Sequence, residues 1–372
     1  MHHVLPRARS CCWLLGGLLL GSCATAPVPH GAWPWPAADE LFRRDRRWLG
    51  GDAVYSVDLG GERILWLFGD SFVGLDGTRD RRTSTMVRNT IAIQQGRDPL
   101  TAGITFHWQT NAAGRPAAFF ADDGATGHWP LHGYRVPGGP LLLFQTRVRN
   151  TPGQGLGFAI EGWRLLRIEA PDADPQSWRP VEVTLAPGPA EVTFGTTVAR
   201  EGEHLVVLGT RGHGPHRGVL ARFALRDLDA AIVPLEVWCT DHWATASASA
   251  AASEVLDDAG PECSAHRTGR HWLHVRSRGF GATTVAARIA THPSGPWSPP
   301  IDLFTPPESR GPRPFVYAGK AHPSLDAGRG WLAISYAANA WDFADLFTPQ
   351  GQTDLYWPRF WRVATADLPQ PD

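Results

Sequence analysis

The stretch RILWLFGDSF, residues 63–72, decides how the rest of the chain is read. A short apolar run ends on a small and then an acidic residue. A run of that length, closed by Gly and Asp, has the form of a strand and not of a helix. Four other stretches share the form: PLLLFQTRV from 140, HLVVLGTRG from 204, HWLHVRSRG from 271 and GWLAISYAA from 330. Each has a second strand-like run downstream, in turn NTIAIQQ, GWRLLRIEA, GVLARFAL, TTVAARIAT and RFWRVATAD. Four have a short run upstream: DAVYSVDL, EVTFGTTVAR, ECSAHRT and KAHPSLD. Strand–turn–strand–turn–strand, five times over, predicts an all-β chain folded as a five-bladed β-propeller. The spacing is irregular and no single-residue signature repeats, so a pair of β-sandwiches is the structural alternative.

Composition narrows the function. The 372 residues carry a formal net charge of −1, which argues against a nucleic-acid partner. Forty Gly, 32 Pro and 17 Trp point to many turns and an aromatic interior. Of 35 basic residues one alone, Lys320, is lysine. A composition this biased keeps a rare residue where something requires it. There is no G-x-S-x-G elbow, phosphate loop or dinucleotide fingerprint, which counts against esterases, kinases and dehydrogenases. HGPH at 213–216 and HRTGRHWLH at 266–274 lack zinc-binding spacing. No cofactor is expected, apart from an axial cation such as calcium held through water or His322.

The N-terminus reads as a processing segment. Arg7 and Arg9 precede the apolar run CCWLLGGLLL, which is too short to span a bilayer and ends in LGSC. That pattern predicts a lipoprotein signal peptide over 1–22, with Cys23 the lipidated first residue. A Pro-rich tether over 23–38 and the propeller over 39–366 follow. The expected product is exported and monomeric, held at a membrane by its acyl chains and facing the periplasm or the exterior. Cys239 and Cys263 remain, as a disulfide that such a compartment permits or as buried thiols.

In a propeller the first strand of each blade lines the central channel, so the opening residues of the five units should converge. Those are Asp52, Trp129 with His132, the segment 191–195, Glu262, and Lys320 with His322. The segment GGDAVYSVDLGGERILWLFGDSF reads as a hairpin turning at DLGGER, which places Asp52 and Asp70 at one end. Paired carboxylates run acid–base or nucleophilic chemistry on a glycosidic bond. They also cap turns. Asp70 follows the apolar run ILWLF, where burial raises a carboxyl pKa. Lysine at 320, among Ala318, Gly319 and Ala321, offers a compact ammonium to a crowded acidic site.

With these residues assembled, the chain resembles a family of bacterial extracytoplasmic five-bladed propellers, catalogued as a domain of unknown function, some of whose members are endo-acting D-arabinanases. The matching segments are WLGGDAVYSVDLGGERILWLFGDSFVG, RNTIAI, ECSAHR, AGKAHPSL, AISYAANA and YWPRFWRV, in order along nearly all of the chain after residue 47. The resemblance implies that Asp52 and Asp70 are catalytic and that Lys320 and His322 belong to the substrate pocket. It implies a furanoside-type polysaccharide as substrate. Ser71 stands where family members often have Thr.

The expected site is therefore Asp52, Asp70 and Glu262 as the acids, with Lys320, His322, Arg88, Asn89, Trp129, Asn339, Tyr356 and Arg359 around the substrate. Two other readings stand beside it. One is a non-catalytic surface glycan-binding propeller. The other is a lipoprotein whose propeller binds protein, which an exposed aromatic rim remote from the channel would favour.

Overall fold

The computed structural model describes residues 30–152, 157–212, 215–249, 251–279, 281 and 283–370. The lipidation and signal-peptide expectations at 1–23 lie outside the described residues. The chain is all-β. Five antiparallel sheets of at least four strands follow one another in sequence. The first comprises Tyr55–Gly60, Arg63–Phe68, Thr90–Gln95 and Gly103–His107. The second comprises Thr126–Arg135, Leu141–Asn150, Phe158–Ile168 and Val181–Val183. The third is built on Thr193–Glu201, His204–Arg211 and Arg217–Ala224, with shorter strands beyond. The fourth comprises Cys263–Thr268, His271–Arg278, Thr284–Ala290 and Ile301–Phe304. The fifth comprises Pro314–Ala321, Trp331–Ala340, Arg359–Ala364 and the N-terminal Ala32–Pro34.

The five runs that opened the sequence reading are the second strands of the five sheets. They are continuously apolar because each is flanked by strands on both edges and covered on both faces. Ile64 to Phe68 are all buried, as are Leu141 to Phe144 and Leu205 to Leu208. Turn chemistry sets the hairpins: Asp58 accepts from the Gly60 amide at 2.8 Å, and Gly60 and Gly61 both take positive φ.

Neighbouring sheets are stitched through their first strands. His132 accepts from the Val198 amide at 3.0 Å, and its other nitrogen lies 3.1 Å from the Ser56 carbonyl. Thr197 Oγ1 accepts from the Ala265 amide at 3.0 Å. Ser264 Oγ accepts from the Ala321 amide at 2.8 Å. His322 Nδ1 meets Ser56 Oγ at 2.8 Å. These bonds run from the first sheet through the others and return to it.

Two expectations are corrected. Residues 32–38, expected within the tether, instead form the outer strand of the fifth sheet and the start of helix Pro36–Leu41. Ala32, Trp33 and Pro34 pair with Val363, Arg362 and Trp361, which gives the apolar AWPW segment a sheet edge to cover. Lys320 was expected at the opening of a first strand. It lies near the end of one, because the aromatic segment 314–317 already pairs with 337–340.

Candidate active site

Bulges place the site. The register slips between Tyr317 and Lys320 in the fifth sheet and between Pro130 and Gly133 in the second. A bulge re-aims the side chains around it. Beyond each slip the hairpin continues: Pro314–Tyr317 against Ala337–Ala340, and Thr126–Pro130 against Gln145–Arg149. The first sheet, between these two, carries Asp52 and Asp70 at its end. The Asp52 amide donates to the Asp70 carbonyl at 3.3 Å, so the two acids sit side by side as the hairpin reading requires.

Their surroundings differ. Asp52 Oδ2 accepts the Tyr317 hydroxyl at 2.7 Å and the Tyr356 hydroxyl at 3.2 Å. Oδ1 occupies space that a side chain at Gly69 would fill, since a Cβ there would lie 2.5 Å from it. Burial, then the charges of Asp70 and Glu262, push the Asp52 carboxyl up to about 8, against the pull of the two tyrosines. With both phenols donating to Oδ2, the proton belongs on Oδ1. Asp70 is also raised by burial, but Trp129 Nε1 donates to it at 2.9 Å and the Arg88 guanidinium lies 3.5 Å away, both favouring the anion. Burial raises both carboxyls, and the donors beside Asp70 oppose it there, so a proton on the pair is favoured on Asp52.

Lys320 has a specific placement. It is 1% exposed, and its ammonium donates to the Ala53 carbonyl and, at 3.0 Å, to that of Ala318. Ala53 and Ala318 both take φ near +60°, unusual for residues other than Gly, and each adjoins a site residue, Asp52 and Tyr317. The ammonium also sits 4.3 Å from the centre of the Tyr55 ring and 4.0 Å from Glu262 Oε1. Burial lowers its pKa, opposed by the charges of Glu262, Cys263 and Asp52. A wide guanidinium would not fit between two carbonyls and a ring face.

Asp70, Arg88 and Trp129 line an open groove of about 610 Å³, together with Met86, Asp122, Asn150 and Phe158. Phe158 meets Trp129 edge-on at 4.6 Å. The Arg88 guanidinium also donates to Asn150 Oδ1.

Other expected residues lie elsewhere in the network. His322 is fully buried, with Ser56 on one ring nitrogen and Ser335 Oγ at 2.7 Å on the other; burial holds it neutral and neither nitrogen is left for a substrate or a cation. Asn89 is buried, donating to the carbonyls of Phe120 and His128 and accepting from the Phe120 amide; it ties the 119–120 segment and reaches no groove. Arg359 faces Asp39 at 3.4 Å and Glu308 at 3.6 Å and donates to the Asp354 carbonyl. Asn339 is half-buried opposite Phe315. Cys239 and Cys263 are free thiols, the second buried and pushed up to about 12. Among the described residues no group of three His, Cys, Asp or Glu is placed to hold a metal ion.

Sequence reasoning missed Tyr317 and Arg81. Tyr317 lay inside a quoted motif, and only the bulge reveals where it points. Arg81 is buried, has no carboxylate partner among the described residues, and donates to the carbonyls of Leu49, Leu346, Gly351 and Leu355. It thereby fixes the segment that delivers Tyr356, whose φ is +64° and whose carbonyl packs where a Cβ on Gly50 would stand.

The model of a family described as "Domain of unknown function (DUF5005)" matches residues 37–365. No curated protein sequence matches the chain. Among solved structures, a proposed hydrolase from Bacteroides ovatus superposes with a TM-score of 0.71 at 21% identity, over 89% of each chain; that likeness is one of fold. The catalytic domain of a GH62 α-L-arabinofuranosidase from Coprinopsis cinerea gives 0.49 at 11% identity, over 86% of this chain and 92% of the other. A xylan β-1,4-xylosidase from Bacillus halodurans gives 0.48 at 10% identity, over 80% of this chain and 50% of the other.

Proposed function

The chain belongs to the DUF5005 family, and we propose that it is a glycoside hydrolase acting on a furanoside-type, arabinan-like polysaccharide. The observation that carries the reading is the adjacency of two half-buried acids in opposed environments, Asp52 between two phenols and Asp70 between an indole and a guanidinium. Glycosidic cleavage needs one carboxyl group to give a proton to the leaving oxygen and another to act as base or nucleophile. Asp52 gives the proton from Oδ1. Asp70, facing the groove, acts on the opposite side, by activating water or by attacking the anomeric carbon. The C–O bond breaks, the departing sugar keeps Asp52's proton, and water supplies the hydroxyl of the new reducing end. Glu262 is a third acid, close enough to raise Asp52, and Lys320 balances the cluster.

The five sheets are read as the blades of a five-bladed propeller. The circuit of bonds through Ser56, His132, Thr197, Ser264 and His322 supports a common axis. The furanoside preference rests on the resemblance carried by GGDAVYSV, FGDS and GKAHP. Cys23 is proposed as the lipid anchor that holds a monomer in the cell envelope, which acyl-chain labelling of the native chain and of Cys23→Ser tests.

The decisive experiment incubates the protein with arabinan and galactan and measures new reducing ends. Release by the native chain, lost in Asp52→Asn and Asp70→Asn with the fold intact, is expected. Full activity in either variant overturns the assignment. Binding without release by the native chain favours the glycan-binding alternative.

A further inference from the structure

Two hairpin extensions rise past the bulges on either side of the first sheet. The second sheet's extension carries Trp129 and the groove beside Asp70. The fifth sheet's extension carries a row of aromatic rings that begins at Asp52 itself. Tyr317 donates to Asp52, Phe315 lies 5.5 Å from Tyr317 ring to ring, and Trp341 lies 4.6 Å beyond Phe315, the planes tilted by only 31° and 39°. A second row leaves the same carboxyl group through Tyr356, Phe72 at 5.3 Å and Phe343 at 6.1 Å. The outer members, Trp341 and Phe343, are 56% and 47% exposed.

Exposed aromatic surface of this kind marks a binding site when it is continuous and rimmed by polar groups. Here it is continuous with the carboxylates, and Asn339 and Arg313 stand at its margin. It is also held in place. The Trp341 amide donates to the Arg313 carbonyl at 3.0 Å, and Gly281 bridges to Val316. Gly281 takes a φ of +102°, and a Cβ on it would come within 3.3 Å of the Trp341 ring, so the residue beneath the indole is one that adds no side chain there. Rigid aromatic rings bury area at little entropic cost.

We propose that Phe315 and Trp341 form a stacking platform for the polysaccharide chain, on the opposite side of the carboxylates from the Asp70 groove. A sugar ring offers a C–H face to an aromatic plane while its hydroxyls stay in water, which suits a tilted, half-exposed row better than a flat protein partner. The platform adjoins the carboxylates, where a remote rim would have suited a protein. The substrate is then a chain long enough to cover both extensions, and the bond cut lies between them. This inference rests on the hydrolase reading for the cleavage, but not for the binding.

The test uses Trp341→Ala and Trp341→Phe of the full chain with soluble arabinan and galactan. Thermal melting confirms that the variants fold. The expected result is a loss of about tenfold in affinity for the polymer in Trp341→Ala. Trp341→Phe should restore most of it. Equal polymer affinity in native and Trp341→Ala chains, or no polymer bound by the native chain, overturns the platform. Polymer binding that depends on Trp341 but is never followed by cleavage keeps the platform and removes the hydrolase.

Discussion

The Tyr317 hydroxyl donates to Asp52 Oδ2 at 2.7 Å, across the join between the last sheet and the first. The acid proposed to lead the chemistry is thus set by a residue 265 positions away in sequence. The donor favours the carboxylate, so its removal lets burial raise Asp52 further. Tyr317→Phe should shift the alkaline limb of the pH–rate profile upward and lower kcat by about tenfold. An unchanged limb would show that Asp52 is not the group that limits activity at high pH.

Asp52 has a stability signature separable from the catalytic role proposed for it. Its folded pKa lies above that of an unfolded aspartate, so the folded state holds the proton more tightly. Stability from this group is present at low pH and is lost as pH rises from about 4 toward 8. The buried histidines act in the opposite sense: His132 and His266 are held near 4, His274 near 3, and His322 lower than usual. They favour the folded state above their unfolded pKa, and that support is lost as pH falls below about 6.5. Melting temperatures measured from pH 4 to 8.5 should fall at the acid end in both native and Asp52→Asn chains. The Asn variant should lose less between pH 6.5 and 8.

Lys320→Met should leave two inward-turned carbonyls without their donor and remove the cation facing Glu262. A loss of about 2–4 kcal/mol in urea unfolding is expected. Lys320→Arg should not rescue it, for want of room between the Ala53 and Ala318 carbonyls and the Tyr55 ring. Rescue by Arg would mean that charge alone, and not shape, selects lysine.

Gly69→Ala probes the space that holds Asp52 Oδ1. The new methyl group would stand 2.5 Å from that oxygen, pushing the carboxyl aside while leaving the strands on either side intact. A fall in kcat of about a hundredfold with a modest change in melting temperature is the expected outcome. Unaltered kcat would detach Oδ1 from proton delivery.

Much of this was legible beforehand. The five second strands are continuous apolar runs because both faces are covered, and such runs need no tertiary information to be recognised. Asp52 and Asp70 were paired correctly because a hairpin makes neighbours of residues equidistant from its turn. What failed was whatever depends on bulges and on joins between sheets. His322 reads as a pocket histidine, yet two serines from different strands consume it. Asn89 reads as a hydroxyl binder, yet three backbone groups, two of Phe120 and one of His128, satisfy it. Tyr317 was invisible because its direction follows from a register slip, which no local pattern announces.

The fifth sheet takes its outer strand from residues 32–34 and its other three from the last sixty residues of the chain. The segment 32–34 therefore waits during synthesis for a strand made more than three hundred residues later. Four sheets can assemble as they emerge, but the fifth is complete only when residues 32–34 meet residues 361–363, so deleting residues 32–34 should loosen the fifth sheet and not merely fray an edge.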